Sequence, residues 1–221
     1  MTLVELVVSL SIGLIVLMAG FTLLDRSVSA SHEIADRQEA IQRGRQAMEL
    51  ITRQLRSQVC LGETAEPITY GDGDTVIFYA DLSDGSSNVE RRTLSYVAPS
   101  GGVSGRLTEK VEPGTGVYPD LTFTTEPAVD RVLLTGVEPV SESTPVFRYY
   151  TFNEGNPTGD LVELPAPLSA TDASRTIMVR VSFLTLPDRL KPDERDASSL
   201  DDGIYVRIAD PSRPLEGPRC L

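Results

Sequence analysis

The sequence predicts an α+β protein in which a long N-terminal α-helix packs on an antiparallel β-sheet head. Composition changes near residue 60, because all 15 prolines and 14 of the 17 glycines come after it. Charge changes at the same point. The first 60 residues balance six acidic against six basic side chains, so residues 61–221 carry the whole net charge of -12. These observations divide the chain into an apolar helix (1–25), an amphipathic helix (26–60) and a β-rich head (61–221).

Composition also excludes several classes of function. An acidic surface repels phosphate groups, so no direct nucleic-acid binding is expected. The single histidine, His32, and the two cysteines, Cys60 and Cys220, are too few for a tetrahedral zinc site. A Ser-His-Asp triad would have to use His32, which lies among polar helix residues and is predicted to be solvent-exposed.

An apolar run without charge extends from Leu6 to Leu24 and ends at Asp25 and Arg26. As a helix it is about 28 Å long, close to the thickness of a bilayer's hydrocarbon core. No basic stretch precedes it and no clear small-residue cleavage site follows, which favours an anchor over a signal peptide. A generic anchor leaves Glu5 unexplained, because a carboxylate in lipid is costly and needs a partner.

The helix is predicted to continue without a break to about Cys60. Apolar residues recur every seven positions, no proline interrupts, and Gly44 is the weakest point. The heptad positions are Ile34, Ile41, Met48 and Leu55. The stripe is expected to pack on the protein's own sheet. A coiled-coil partner is the less favoured alternative, since the repeat covers about three heptads.

The rest of the chain predicts antiparallel strands separated by glycine, proline and aspartate turns. The predicted strands are Thr75–Ala80, Arg92–Val97, Arg106–Val111, Arg131–Leu134, Val146–Phe152, Thr176–Leu186 and Ile204–Ile208. The polar segment Pro187–Gly203 is interpreted as a surface loop, with a partner contact as the alternative.

Two acidic loops, Asp72–Asp74 and Asp81–Asp84, could offer oxygen ligands to calcium. Neither matches the spacing of a known calcium loop, and acidic glycine-containing turns commonly connect hairpins. Hairpin connectors are therefore the favoured interpretation, and no cofactor is expected.

The segment MTLVELVVSLSIGLIVL resembles the mature N-terminus of type IV pilins and type II secretion pseudopilins. In that family a prepilin peptidase removes a leader, the new N-terminal residue is methylated, and glutamate occupies the fifth position. The resemblance makes Met1, in place of the usual phenylalanine, the processed and methylated residue. It implies that Glu5 sets the register between subunits. AMELITRQLRSQ and VFRYY are similar to segments of larger minor pilins and J-type minor pseudopilins.

The resemblance implies a structural subunit of a type IV filament, either a major or minor pilin or a pseudopilin, and no enzymatic activity. Such a subunit spans the inner membrane once, with its head outside the cytoplasm. An ATP-driven assembly platform then moves it into a cell-surface or periplasmic filament, where it contacts other subunits through the N-terminal helix. The alternative is a membrane-tethered extracytoplasmic hydrolase using paired carboxylates. That alternative leaves Glu5 and the long helix unexplained.

Two further expectations concern helix continuity and the cysteines. Many family members carry a proline at the position matching Thr22, and the helix near Gly13–Thr22 unwinds in their pili. Here the proline is absent, so we expect a continuous helix in the membrane and a local stretch only within a filament. A head outside the cytoplasm allows a Cys60–Cys220 disulfide, the one internal connection that two cysteines permit. Two unrelated thiols are the alternative.

Overall fold

The protein is a long helix whose C-terminal part, from Ala40, is embedded in a two-sheet head, as the predicted α+β class requires. The computed structural model describes residues 2–61, 66, 68–82, 89–101, 104–124, 129–153, 160–187 and 197–206. The elements are α1 (Leu3–Arg56), β1 (Ile68–Gly71), β2 (Thr75–Asp81), β3 (Val89–Val97), β4 (Arg106–Val117), β5 (Asp120–Phe123), β6 (Val129–Thr135), β7 (Val137–Glu138), β8 (Phe147–Phe152), β9 (Leu161–Leu164), α2 (Ala170–Arg175), β10 (Met178–Thr185) and β11 (Ser198–Tyr205).

Every strand pairs antiparallel with its neighbours, in two sheets. The first sheet has the order β1-β2-β3-β4, and both β5 and β6 pair with β4. The second has the order β11-β10-β8-β9, and the short β7 pairs with β10. Gly136, with φ of 70°, lies between β6 and β7. This left-handed conformation lets the chain turn from the first sheet into the second.

Helix α1 is unbroken from Leu3 to Arg56, including Gly13–Thr22, but it ends before the predicted Cys60. The N–H of Ser57 donates to the carbonyls of Arg53 (3.2 Å) and Gln54 (3.0 Å), which closes the last turn. The chain then pairs with β2, and the N–H of Val59 donates to the Tyr79 carbonyl at 3.0 Å. The helix ends before Cys60 because the N–H of Val59 bonds to the sheet instead of to the preceding helical turn.

The core lies between α1 and the inner faces of both sheets. Ile51 and Leu55 project from the helix into a cluster that includes Phe78 of the first sheet and Phe147 and Phe183 of the second. These five side chains are at most 1% exposed. The apolar stripe of α1 therefore packs on the protein's own sheets, as expected, and this burial is the main source of the head's stability.

The buried stripe is shorter than predicted. Burial along α1 begins at Ala40, whereas Ile34 is 57% exposed. Ile34 continues the heptad pattern, but the helix has already passed the rim of the head at that position. Along the rest of the stripe, Ile41 is half-buried and Met48 and Leu55 are buried.

Each predicted strand corresponds to a strand, with β3 and β4 longer than expected. The prediction of a surface loop over Pro187–Gly203 is partly wrong, because Ser198–Gly203 belongs to strand β11. It pairs with β10 over eight residues, and Leu200 and Ile204 lie on the face toward α1. The charged composition conceals this alternation. Residues 188–196, 207 and 208 lie outside the described part of the chain.

Candidate membrane-anchoring and assembly segment

The N-terminus of α1 is capped by its own first residues. Thr2 is the N-cap, and its N–H donates to Oε2 of Glu5 at 3.0 Å. The N–H of Glu5 donates in turn to Oγ1 of Thr2 at 3.4 Å, which completes a capping box. This arrangement places a negative carboxylate at the positive end of the helix dipole and satisfies two free backbone donors. Met1 lies outside the described residues, so its predicted processing stays a prediction.

The apolar run of α1 touches nothing else in the described chain. Its large side chains are exposed from 49% at Leu6 to 70% at Leu23. The helix is long and apolar enough to cross a membrane, with a mean hydropathy of 2.4 over an 18-residue window of which no part is buried. An apolar surface of this size needs a non-aqueous cover, whether lipid or other helices.

The few hydroxyls in the apolar run bond to the helix itself. Ser9 donates to the carbonyl of Leu6 at 3.0 Å, Ser11 to that of Val7 at 2.8 Å, and Thr22 to that of Ala19 at 2.9 Å. A lipid environment offers no partner for a polar group, so internal satisfaction is what a membrane helix requires. The local hydrogen bonding therefore agrees with the hydropathy.

Between the apolar run and the head, Asp25–Glu39 forms a bare helical stalk. None of its residues is buried, and His32 is exposed as predicted. At 1.5 Å per residue the stalk is about 22 Å long. Glu33 and Arg37, one turn apart, form an ion pair in its second half. The apolar run and the head are thus separated by a length of α1 with no buried residue.

At the other end of the helix, Cys60 is buried just beyond α1. Its carbonyl accepts a hydrogen bond of 3.1 Å from the Tyr118 hydroxyl, which lies in the turn between β4 and β5. Cys220 lies outside the described residues. The structure therefore places one of the two predicted disulfide residues, and the pairing stays a prediction.

The head contains a buried charge cluster that sequence reasoning missed. Glu109 of β4 is 1% exposed and accepts hydrogen bonds from Arg92 of β3 (2.5 Å) and Arg131 of β6. Glu90 forms a second ion pair with Arg92. Glu109 lies on the same strand face as the core residue Leu107, a position where sequence patterning predicts an apolar side chain. Two arginines compensate the cost of burying this carboxylate.

A second ion-pair group lies farther along the same strands. Glu112 accepts from Nε of Arg91 at 2.6 Å and also contacts Lys110 at 3.1 Å. The hydrogen bond from Arg91 holds the pKa of the Glu112 carboxyl below its usual value, although burial opposes the shift. Phe123 of β5 stacks on Tyr79 and lies 5.7 Å from the Arg91 guanidinium. The Arg91–Glu112 pair links β3 to β4, and the Phe123 ring links β5 to Tyr79 of β2 and Arg91 of β3. These contacts have a structural role.

The Asp72–Asp74 loop is a hairpin connector. Oδ1 of Asp72 accepts from the N–H groups of Asp74 (2.8 Å) and Thr75 (2.6 Å), and Oδ2 accepts from the Tyr70 hydroxyl at 2.6 Å. The Asp72 carboxylate is thus engaged by the turn itself. In the second acidic loop, Ser83 and Asp84 lie outside the described range. Among the residues described, no group of three or more histidine, cysteine or acidic side chains could hold a metal ion.

The two residues singled out for assembly, Met1 and Glu5, belong to the N-terminal end, and Glu5 is more than 50 positions from Cys60. One unbroken helix nevertheless joins Glu5 to the head. Comparisons with models of protein families, with curated proteins and with solved structures find no match.

Proposed function

We propose that this chain is a membrane-anchored structural subunit of a type IV filament, of the pilin or pseudopilin kind. The observation that carries the proposal is α1 itself. One helix of 54 residues presents a wholly exposed apolar half at one end and forms the core of a β-sheet head at the other. In this arrangement the exposed apolar part of α1 can serve first as a membrane anchor and then as the packing surface of a filament.

Two environments can cover the exposed apolar half in turn. In a bilayer, acyl chains surround Leu6–Leu24. In a filament, the same residues would pack against the apolar helices of other copies. Association between such helices depends on close van der Waals packing, which Gly13, Ala19 and Gly20 allow. Nothing lies within 4 Å of a Cβ built on Gly13 or Gly20, so both positions are open to a neighbouring helix.

Glu5 supplies the assembly register in this proposal. Its carboxylate is held by Thr2 of the same chain before assembly. In a filament core without water, the positive N-terminus of a neighbouring subunit would be a stronger partner than a neutral N–H. Prepilin peptidase and an inner-membrane platform are the partners that the proposal requires, with the head outside the cytoplasm.

The described carboxylates do not favour the hydrolase alternative. Paired-carboxylate hydrolysis needs one protonated acid opposite one ionised group. Glu109 and Glu112 each accept a hydrogen bond from an arginine. The hydrogen bond from Arg91 lowers the pKa of Glu112, which does not suit it as the protonated acid. Burial, followed by the charge of Asp72, raises the pKa of Asp74, but Asp72 is occupied in capping its own turn. These contacts give the four carboxylates structural roles.

The test is the variant Glu5→Gln, with Glu49→Gln as the matched control. Both changes remove one carboxylate from α1, and Glu49 is exposed on the part of the helix that belongs to the head. We expect Glu5→Gln to leave the head folded and the chain inserted in the membrane, but to reduce its amount in sheared filaments at least about tenfold, the cost of one lost charge-assisted contact. Glu49→Gln should assemble like the parent.

Normal assembly of Glu5→Gln would show that Glu5 does not make the proposed register contact. Absence of the parent chain from any sheared filament fraction, with the chain retained in the membrane, would overturn the proposal of a filament subunit while leaving the anchor intact.

A further inference from the structure

Within the stalk of α1, the residues Ser27–His32 lack packing support. This serine segment has the sequence SVSASH, and none of its residues is buried. On its N-terminal side the helix has the apolar surface that lipid covers. On its C-terminal side Ala40 begins the region that packs on the sheets. Neither source of support reaches the serine segment, and most helical stability in proteins comes from such packing.

Residue types weaken the helix further at this place. Serine, valine and histidine are poorer helix formers than alanine, and five of the six residues belong to these types. The Ser31 hydroxyl donates to the carbonyl of Ser27 at 2.9 Å. That carbonyl is also the acceptor for the helical N–H of Ser31, so the side chain competes with the backbone ladder.

The same hydroxyl contact has a different consequence in the apolar run. Ser11 donates to the carbonyl of Val7 at 2.8 Å, but in lipid no water can replace an opened backbone hydrogen bond. The serine segment is surrounded by water, which can accept and donate in place of the helix. Opening is therefore far cheaper at Ser27–His32 than at the serines nearer the N-terminus.

The stalk becomes stronger again directly after the segment. Glu33 and Arg37 are paired one turn apart in the favourable order, and Ala35, Gln38 and Glu39 beside them are good helix formers. No ion pair found among the described residues links Ser27–His32 to the head. The weak point is therefore short and has a firm helix on both sides, which is the arrangement of a hinge.

We propose that α1 opens and bends at Ser27–His32, so that the head tilts relative to the membrane anchor as a rigid body. The hinge is distinct from the Gly13–Thr22 segment, which lies within the apolar run. The inference rests on the anchoring part of the proposed function and is independent of the filament.

Hydrogen exchange of the full chain in nanodiscs of phosphatidylethanolamine and phosphatidylglycerol tests this inference, read by mass spectrometry of peptic fragments. We expect amides in fragments covering Val28–Glu33 to exchange at least about tenfold faster than those covering Ala47–Leu55 or Val7–Leu17. The triple variant Ser27→Ala, Ser29→Ala and Ser31→Ala should slow exchange there by about tenfold. Each change raises helix propensity and lowers the equilibrium constant for opening, and the three factors multiply. Ser11→Ala is the matched control and should leave exchange in Val28–Glu33 unchanged.

Equal protection of Val28–Glu33 and Ala47–Leu55 would overturn the hinge, as would a triple-alanine variant with unaltered exchange. Rapid exchange in Val7–Leu17 would instead contradict the membrane anchor. The two failures are thus distinguished in a single experiment.

Discussion

The two ends of α1 differ in both apolar content and burial, and the more apolar end is the exposed one. Leu6–Leu24 is the more apolar part, yet its large side chains are 49% to 70% exposed. The buried part, from Ala40 to Leu55, alternates charged residues with a narrow set of inward positions. Those inward positions are Ala40, Gly44, Ala47, Met48, Ile51, Gln54 and Leu55. The core-forming half is therefore the less apolar half.

The difference shows that each half matches its surroundings. Lipid contacts a helix on all sides, so an anchor must be apolar around its whole circumference. A sheet contacts a helix on one side, and the distance between them depends on the side chains at the contact. Gly44, which has no side chain, brings α1 close to Leu200 and Thr185 of the second sheet. If the two parts of α1 are independent, a change in one should leave the other unaffected.

The largest expected effect concerns the end of the buried half. A Cys60–Cys220 disulfide would close a loop of 161 residues counting both ends. In the chain-entropy model such a bond adds roughly 4 to 5 kcal/mol at most to the free energy of unfolding. Reduction should therefore lower the head's urea midpoint strongly while leaving the apolar half of α1 helical in detergent.

Mass spectrometry of unreduced protein provides the direct check of that bond. A free thiol at Cys220 in oxidised material would contradict the pairing. A double Cys60→Ser and Cys220→Ser variant is the control, because a reductant should not change its stability.

The next effect concerns a buried isoleucine. Ile51 has no exposed surface, so Ile51→Ala should lower the free energy of unfolding by about 2 to 5 kcal/mol through lost burial and a residual cavity. The matched control is Ile15→Ala in the apolar run, where the head should change by less than about 0.5 kcal/mol. Urea unfolding of both variants in detergent, followed by tyrosine fluorescence, makes the comparison. A head equally destabilised by both variants would show that the halves are coupled.

A smaller effect distinguishes two glycines in the same helix. A Cβ at Gly44 would lie 2.5 Å from both Leu200 Cδ1 and Thr185 Cγ2, whereas one at Gly20 would meet nothing within 4 Å. Gly44→Ala should therefore destabilise the head by about 1 to 3 kcal/mol, despite alanine's better helix propensity. Gly20→Ala should leave the head unchanged. Thermal unfolding of the two variants measures the difference, and a stabilised Gly44→Ala head would contradict the close approach.

The smallest expected effect is a dependence on acid. The hydrogen bond from Arg91 lowers the pKa of Glu112 in the folded head, below its usual value of 4.5. Because the pKa of Glu112 is lower in the folded head, its ionised carboxylate stabilises the head at pH values above the usual pKa. This contribution is lost as the pH falls through the pKa of the folded state. Unfolding measured between pH 6 and about 3 should therefore show a weaker acid dependence in Glu112→Gln than in the parent. An identical pH profile would show that this ion pair contributes nothing measurable.

Local patterns were enough to predict a large part of this protein. The uncharged run, the missing prolines before residue 60 and the heptad spacing predicted one continuous helix with an apolar outer half. Runs of β-branched and aromatic residues between turn residues predicted β2, β3, β4, β6, β8, β10 and the end of β11, and near alternation supported β10. These features are local, because hydropathy and turn propensity depend on neighbouring residues. Short strands such as β7 were missed, since two residues carry no period.

Tertiary structure decided what no local pattern contains. The rim of the head determines that burial starts at Ala40 and leaves Ile34 exposed, although both continue one amphipathic helix. Glu109 is buried because Arg92 and Arg131 reach it from two other strands. Ser198–Gly203 became a strand because β10 offered an open edge and α1 covered Leu200. Sequence by itself determined where the helix and most strands form, whereas partners distant in the chain decided which surfaces are covered, because burial is a property of the assembled contacts.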